Sequence, residues 1–179
     1  MGCGDSRECP DDYIEKYSTS TPFSEGQVKK IYRRFLDLDM DGKGYLSTDD
    51  FLLITELALN PLVMRVITVF DEKEEDAIEF DTFIRMLAVF HPKTSREEKL
   101  NFIFKIYDVS GDGLLDEDEI SQVLKMLVGN RLSNKQLRRI CQRVLQENDK
   151  NGDGRITREE FIEALEVVEH VDVPLSIKF

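Results

Sequence analysis

The sequence predicts an all-α fold of four helix–loop–helix units that form two paired lobes. Two stretches of twelve residues, 108–119 and 149–160, share one pattern of acidic, polar and glycine residues. Apolar residues recur at a period near 3.6 on both sides of each stretch, which predicts flanking amphipathic helices. Weaker copies of the pattern occur at 39–50 and 71–82. The repeats are therefore expected to pair in chain order, with a short antiparallel contact between the loops of each pair.

The two regular stretches have oxygen-bearing side chains at positions 1, 3, 5 and 9, glycine at position 6 and glutamate at position 12. Ca²⁺ prefers about six to eight hard oxygen ligands, and a short loop surrounds one ion only through a sharp turn that glycine permits. The pattern is that of the calcium-binding loop of an EF-hand. Two Ca²⁺ ions are expected here, the first bound by Asp108, Ser110, Asp112, Asp116 and Glu119 with the carbonyl of Leu114. The second would be bound by Asp149, Asn151, Asp153, Thr157 and Glu160 with the carbonyl of Arg155.

The two upstream stretches depart from this pattern. In 39–50 the candidate ligands are Asp39, Asp41, Lys43, Tyr45, Ser47 and Asp50. Lys43 puts a cation where an oxygen belongs, and Asp50 reaches less far than glutamate, so weak calcium binding, magnesium binding and no bound metal all stay open. In 71–82 Asp76 replaces the glycine and Thr82 the terminal glutamate, so we expect a degenerate hand that has lost its sharp turn and binds no metal.

Four segments follow from these assignments. Residues 1–22 are interpreted as an N-terminal lipidation segment, 23–90 as the first pair of EF-hands, 95–168 as the second pair and 169–179 as an apolar tail. The break at His91-Pro92 interrupts the helical pattern between the two pairs. The tail alternates apolar and polar residues, and two placements stay open for it: over a partner-binding groove or against the core.

Charge and composition exclude several classes of function. The four loop stretches contain 21 of the 36 acidic residues and 5 of the 24 basic ones, which is a net charge of −16 and leaves +4 for the remainder. The acidity therefore belongs to candidate metal loops, and no basic face indicates nucleic-acid binding. The sequence contains no nucleophile–base arrangement of the kind that would indicate an enzyme. Three cysteines without ligand spacing and no long apolar run indicate a cytoplasmic protein without a membrane span.

The first six residues, MGCGDS, match the N-myristoylation pattern at Gly2. One myristoyl chain binds a membrane only marginally, so stable attachment requires a second signal. The early segment has no basic cluster, which leaves palmitoylation of Cys3 or a membrane-bound partner as that signal. We therefore expect peripheral membrane association through the N-terminal lipid.

Large apolar residues on the predicted helices favour a calcium sensor over a calcium buffer. An opened pair of EF-hands exposes a groove that binds an amphipathic helix of a partner protein. With only five methionines, the chain has no Met-rich promiscuous surface, and a dedicated partner fits better. A free calcium buffer is the least favoured of the readings.

From residue 23 to residue 179 the chain resembles the calcineurin B family. The resemblance is carried by 60–71 (NPLVMRVITVFD), 98–108 (EKLNFIFKIYD), 123–130 (VLKMLVGN) and 149–161. It implies a calcium-binding regulatory subunit whose partner is a helix of a calcineurin-type phosphatase catalytic chain. Other branches of the family imply an accessory subunit of a sodium/proton exchanger or an activator of a protein kinase. The degenerate second loop departs from the phosphatase subunit, in which all four hands bind calcium.

Overall fold

The computed structural model describes residues 8–54, 58–71 and 75–166. The candidate lipidation sites Gly2 and Cys3, the loop residue Lys73 and the whole of the predicted tail 169–179 lie outside these ranges. The described residues divide into two compact units: one contains those up to 63 and 67–94, and the other contains 64–66 and 95–166.

Within the described ranges the first half of the chain forms five helices and two short strands. In chain order they are α1 (Asp11–Ser20), α2 (Glu25–Leu38), β1 (Tyr45–Leu46), α3 (Thr48–Leu52), α4 (Val63–Phe70), β2 (Ile78–Glu79) and α5 (Phe80–Val89). Strands β1 and β2 pair antiparallel, with Leu46 opposite Ile78. Both residues occupy position 8 of their loops, so the predicted loop-to-loop contact of the first pair is confirmed.

The second half repeats this arrangement. Its elements are α6 (Arg96–Tyr107), β3 (Leu114–Leu115), α7 (Glu117–Val128), a 3₁₀ turn (Gly129–Arg131), α8 (Asn134–Asn148), β4 (Ile156–Thr157) and α9 (Arg158–Glu166). Strands β3 and β4 pair antiparallel with Leu115 opposite Ile156. The predicted all-α class with two paired-loop contacts is therefore confirmed.

Capping boxes fix where several helices begin. The Ser95 side chain accepts from the Glu98 amide, while the Glu98 carboxylate accepts from the Ser95 amide at 3.2 Å. Ser133 and Gln136 form the same reciprocal pair at the start of α8. Each box satisfies backbone donors that the first turn of a helix leaves without an intrahelical acceptor.

Helix α1 was not anticipated, because we assigned its residues to the lipidation segment. It packs on the first unit through the buried residues Ile14 and Tyr17. The helix also packs on the ring of Phe80: the Tyr13 ring stacks on Phe80 at 5.6 Å between centroids, and the Tyr17 ring meets it edge-on at 5.3 Å. Aromatic pairs at such distances contribute beyond the area they bury, so the second half of 1–22 belongs to the folded first unit.

A polar contact attaches the same helix to the second hand. The Asp81 carboxylate accepts from the Lys16 ammonium at 2.7 Å and from the Tyr17 hydroxyl at 2.9 Å. Burial alone would raise the pKa of Asp81, but these hydrogen bonds outweigh it and lower the pKa below its ordinary value. Asp81 is therefore charged at neutral pH and bonded to α1.

The core of the second unit lies beneath its two loops. Phe104, Leu115, Ile120, Cys141 and Ile156 form one buried cluster, against which Tyr107 and Phe161 pack. Burial raises the pKa of the Cys141 thiol, which is fully enclosed.

Among the described residues, no helix combines the length and apolar character that crossing a membrane requires.

Candidate metal centres

The first aspartate shapes the loop of the third hand. Asp108 ends helix α6, and its two carboxylate oxygens accept from the amides of Gly111 at 2.7 Å and Gly113 at 3.0 Å. Gly113 has φ of +83°, a left-handed conformation that side chains rarely adopt and that turns the chain back over the aspartate. The glycine at position 6 therefore makes the sharp turn that the sequence predicts.

Three carboxylates converge in this loop. One oxygen from each of Asp108, Asp112 and Glu119 lies within 4.8 Å of the others. The Glu119 carboxylate is 6% exposed and accepts from the Ser110 amide at 2.8 Å and the Asp116 amide at 3.2 Å. Like charges at such separations repel, and a hard divalent cation is the group that removes this repulsion while accepting oxygen ligands. The donor set therefore fits Ca²⁺.

The fourth hand has the same local geometry. Asp149 accepts from the amides of Gly152 at 2.7 Å and Gly154 at 2.8 Å, as Asp108 does in its own loop. The Glu160 carboxylate accepts from the Thr157 amide at 2.8 Å through one oxygen and from two loop amides through the other. The hydrogen bonds from Thr157 and these amides outweigh burial and lower the pKa of Glu160. The glutamate at position 12 of each hand therefore accepts loop amides through both of its carboxyl oxygens.

Two other predicted ligands of this loop, Asn151 and Asp153, accept backbone amides within the turn. The Asn151 side chain accepts from the Asp153 amide at 2.8 Å, and the Asp153 carboxylate accepts from the Arg155 amide at 2.9 Å. The Arg155 guanidinium lies 3.3 Å from the carboxylate of Asp112 in the neighbouring loop. The two loops of the second pair are thus joined by an ion pair as well as by their strands.

The first loop folds like the calcium loops but contains a cation of its own. Asp39 accepts from the Lys43 amide at 2.8 Å and the Gly44 amide at 2.7 Å. The Lys43 ammonium lies 3.2 Å from the Asp50 carboxylate and 3.6 Å from that of Asp41. Two predicted ligands, at positions 3 and 12, are therefore paired with a side chain of the same loop.

Our expectation that the second loop has lost its sharp turn is wrong. Asp76, at position 6, has φ of +51°, and Asp71 accepts its amide at 2.9 Å as the first aspartates do elsewhere. Aspartate tolerates the left-handed region better than most residues. Its carboxylate turns away from the loop and accepts from the amide and hydroxyl of Thr48 at 2.7 and 2.6 Å. The turn is kept, and the side chain bridges to the first loop.

Sequence reasoning did not identify one residue that contacts the start of the third loop. Arg65, which belongs to the second unit, donates to the backbone carbonyls of Lys105, Ile106 and Asp108, each at 3.1 Å. These carbonyls lie at the C-terminal end of α6, where a helix leaves acceptors unpaired. Arg65 therefore fixes the backbone at the first residue of the third loop. Its distance along the chain from that loop explains why spacing alone did not reveal it.

Comparisons with known proteins agree with this geometry. The EF-hand domain pair family matches residues 97–166. The calcineurin B subunit of Naegleria gruberi is 45% identical over 165 residues, which cover 92% of this chain and 93% of the relative. The type 1 calcineurin B subunit of Dictyostelium discoideum is 43% identical and covers 93% of this chain and 92% of its own. The calcineurin B subunit of Yarrowia lipolytica is 41% identical over 83% of this chain and 86% of its own. The chain belongs to the calcineurin B family, as the segments quoted from its sequence predicted.

Proposed function

We propose that this chain is the calcium-binding regulatory subunit of a calcineurin-type protein phosphatase and is not itself an enzyme. The observation that carries the proposal is its 45% identity, over 92% of its length, to a protein named as a calcineurin B subunit. The partner would be the catalytic chain of the phosphatase, which contributes an amphipathic helix. Nucleic acid is not among the partners.

Two Ca²⁺ ions bind in the second pair of hands, through the residues assigned from the sequence in 108–119 and 149–160. When bound, calcium supplies a compact double positive charge for the carboxylates to share. Asp108 ends helix α6, and Glu119 lies in the first turn of α7, so a ligand set that includes both fixes the ends of two helices. Asp149 at the end of α8 and Glu160 in the first turn of α9 do the same in the fourth hand.

The second unit presents apolar side chains for a partner helix. Met126 on α7 is 40% exposed and Ile140 on α8 is 39% exposed, and these two helices pack against each other. Leu124 and Val144 lie on the same helices and are only partly buried. An amphipathic helix binds such a surface by removing its apolar area from water.

The test uses the purified full chain and a calcineurin catalytic chain, with binding measured by calorimetry in calcium and in chelator. Ile140→Glu is expected to weaken binding at least tenfold, because burial of an unpaired charge in an apolar interface costs more than the ~1.4 kcal/mol that corresponds to a tenfold change. The matched control is Gln142→Glu, which adds the same charge at an exposed position of the same helix and should change the affinity less than twofold.

The outcomes separate the alternatives. Binding to the phosphatase chain that Ile140→Glu weakens supports the proposal, and equal weakening by the control overturns the assigned surface. Failure to bind the phosphatase chain, together with binding to a sodium/proton exchanger helix or to a protein kinase, assigns the chain to the alternative branches. No partner binding and no calcium-dependent change in dye-accessible apolar surface would leave a calcium buffer.

The N-terminus adds a proposal about location. Gly2 carries a myristoyl group and Cys3 is the candidate for a second acyl chain, so the protein is cytoplasmic and peripherally attached to membrane. Intact wild-type protein should then show the added acyl mass, and Gly2→Ala should shift the chain from the membrane fraction to the cytosol. An unchanged distribution without added mass would remove this part of the proposal.

A further inference from the structure

The first loop contains the ammonium of Lys43 at position 5, where loops 108–119 and 149–160 have a carboxylate. This ammonium lies between two carboxylates of its own loop, 3.2 Å from Asp50 and 3.6 Å from Asp41, and 5.3 Å from the centre of the Tyr45 ring. Its side chain is 30% exposed and that of Asp50 is 18% exposed, whereas Asp41 is 74% exposed, so the pair with Asp50 is the more shielded of the two. The hydrogen bonds from Ser47 lower the pKa of Asp50 most, and the bond from Lys43 lowers it further.

The rest of this loop is arranged as in a loop prepared for a cation. Asp39 accepts from the amides at positions 5 and 6, and Gly44 takes the left-handed turn with φ of +83°, the value that Gly113 has in the third loop. Positions 3, 9 and 12 keep oxygen side chains in Asp41, Ser47 and Asp50. Two differences from the third loop bear on metal binding: the shorter Asp50 replaces glutamate at position 12, and at position 5 a residue with a positive charge replaces Asp112.

We propose that the Lys43 ammonium is the resident cation of the first loop and excludes Ca²⁺ and Mg²⁺ from it. An ion entering this loop must displace the ammonium from Asp50 and Asp41 and then remain close to a positive charge. Repulsion between a divalent and a monovalent cation a few ångströms apart opposes this strongly. The first loop therefore keeps its folded form without metal, and this inference does not depend on the identity of the partner protein.

Contacts across the pair support a loop geometry that is independent of metal. Strand β1 pairs with β2, and the Asp76 carboxylate of the second loop accepts from the Thr48 amide at 2.7 Å at the start of α3. In the first pair, the Lys43 ammonium thus neutralises carboxylates of the first loop, and the Asp76 carboxylate of the second loop bonds to the start of α3. Both loops of the second pair, by contrast, have an oxygen side chain at position 5, in Asp112 and Asp153.

The experiment follows calcium titrations of the ¹⁵N-labelled full chain by amide NMR, with the number of ions counted by calorimetry. The amides of Gly44, Gly113 and Gly154 are matched reporters, because each donates to the first aspartate of its own loop. In the wild-type chain we expect two ions, with responses at Gly113 and Gly154 and none at Gly44. A titration with magnesium should also leave Gly44 unchanged.

Three variants separate the ammonium from the short terminal carboxylate. Asp50→Glu supplies the longer ligand but keeps the ammonium, and it should still bind two ions. Combining it with Lys43→Asn should add a third ion, detected at Gly44, with affinity at least tenfold above that of Asp50→Glu alone. Combining it with Lys43→Arg keeps a positive charge at position 5 and should return the count to two.

Two results would overturn the inference. One is a saturable response of Gly44 to calcium or magnesium while Lys43 is present, which the wild-type chain tests without any substitution. The other is a folded Lys43→Asn, Asp50→Glu variant, as judged by its amide spectrum, that binds only two ions.

Discussion

Replacing Glu119 by glutamine should remove the part of the unfolding free energy that calcium binding in the third loop contributes. Glu119 is 6% exposed, and its two oxygens accept from the amides of Ser110 and Asp116. Glutamine has one carbonyl oxygen, and its amide nitrogen cannot accept the second bond. The substitution also removes one charge from the three carboxylates that converge within 4.8 Å.

The magnitude has two parts. Without calcium, the loss of one hydrogen bond to a partly enclosed amide costs about 1–2 kcal/mol of unfolding free energy, and the relief of repulsion among the three carboxylates offsets part of this loss. With calcium at roughly a thousand times the dissociation constant, which is ~1 mM for a sensor site of ~1 μM, ion binding stabilises the folded state by about 4 kcal/mol per site. A site that no longer binds at this concentration loses that share, so the variant is destabilised by about 4–6 kcal/mol in calcium.

The assay is urea unfolding of the full chain in 1 mM calcium (about a thousandfold above the expected dissociation constant) and in chelator. The matched control is Asp50→Asn, which removes a carboxylate at position 12 of the first loop and should cost the same under both conditions. If Glu119→Gln loses equal stability with and without calcium, Glu119 is not a ligand and the assignment of the third loop fails.

Three further results are expected. Gly26→Ala and Gly113→Ala both add a methyl group with nothing within 4 Å, but Gly113 has φ of +83°. The first should therefore gain about 0.5–1 kcal/mol of unfolding free energy and the second lose about 1–2 kcal/mol, measured by urea unfolding in chelator. Phe80→Ala should lose about 3–5 kcal/mol, equally with and without calcium, because it empties the aromatic cluster of the first unit. The pKa of Asp81 is lowered in the folded state, so its bond to Lys16 stabilises fully above about pH 4 and is lost at lower pH; the stability difference between wild type and Asp81→Asn should shrink as the pH falls from 6 to 3.

The conformation of loops 108–119 and 149–160 was predictable because it is determined locally. Each ligand position is fixed by its spacing within twelve residues, and the turn at Gly113 or Gly154 needs only the permissive backbone of glycine. The pairing of Leu115 with Ile156 followed because both occupy position 8 of adjacent hands. Such inferences succeed because no distant contact is needed to make them.

Helix α1 was missed for the opposite reason. Tyr13 and Tyr17 have the spacing of one helical face, which was a usable signal, but they lie in a short acidic segment next to a lipidation motif. The helix is held by contacts with other parts of the chain, among them Tyr32 of α2 and the Phe80 ring, which is more than sixty residues away. Burial against a distant aromatic residue is a tertiary effect that spacing within the segment does not contain.

The errors and open points in the first pair of loops have a common physical origin. The sequence placed Lys43 at position 5 but could not say whether its flexible side chain extends to solvent or turns back toward Asp50. It likewise placed Asp76 at position 6 without indicating that aspartate would adopt the left-handed turn and direct its carboxylate to Thr48. Both outcomes depend on contacts that form only in the folded loops, an ion pair with Asp50 for Lys43 and hydrogen bonds from Thr48 for Asp76.

These contacts imply a division of roles between the two units. In the third loop the carboxylates of Asp108, Asp112 and Glu119 converge without a basic residue among the twelve, and Arg155 of the neighbouring loop pairs with Asp112. We expect a bound cation to relieve the repulsion that remains among them. In the first loop the same kind of repulsion is relieved by Lys43. Because Lys43 is part of the chain, its charge is present at every calcium concentration. A rise in calcium therefore changes the free energy of the second unit and leaves that of the first unit constant. On these assignments one unit of the protein responds to calcium, and the other keeps its fold at any calcium concentration.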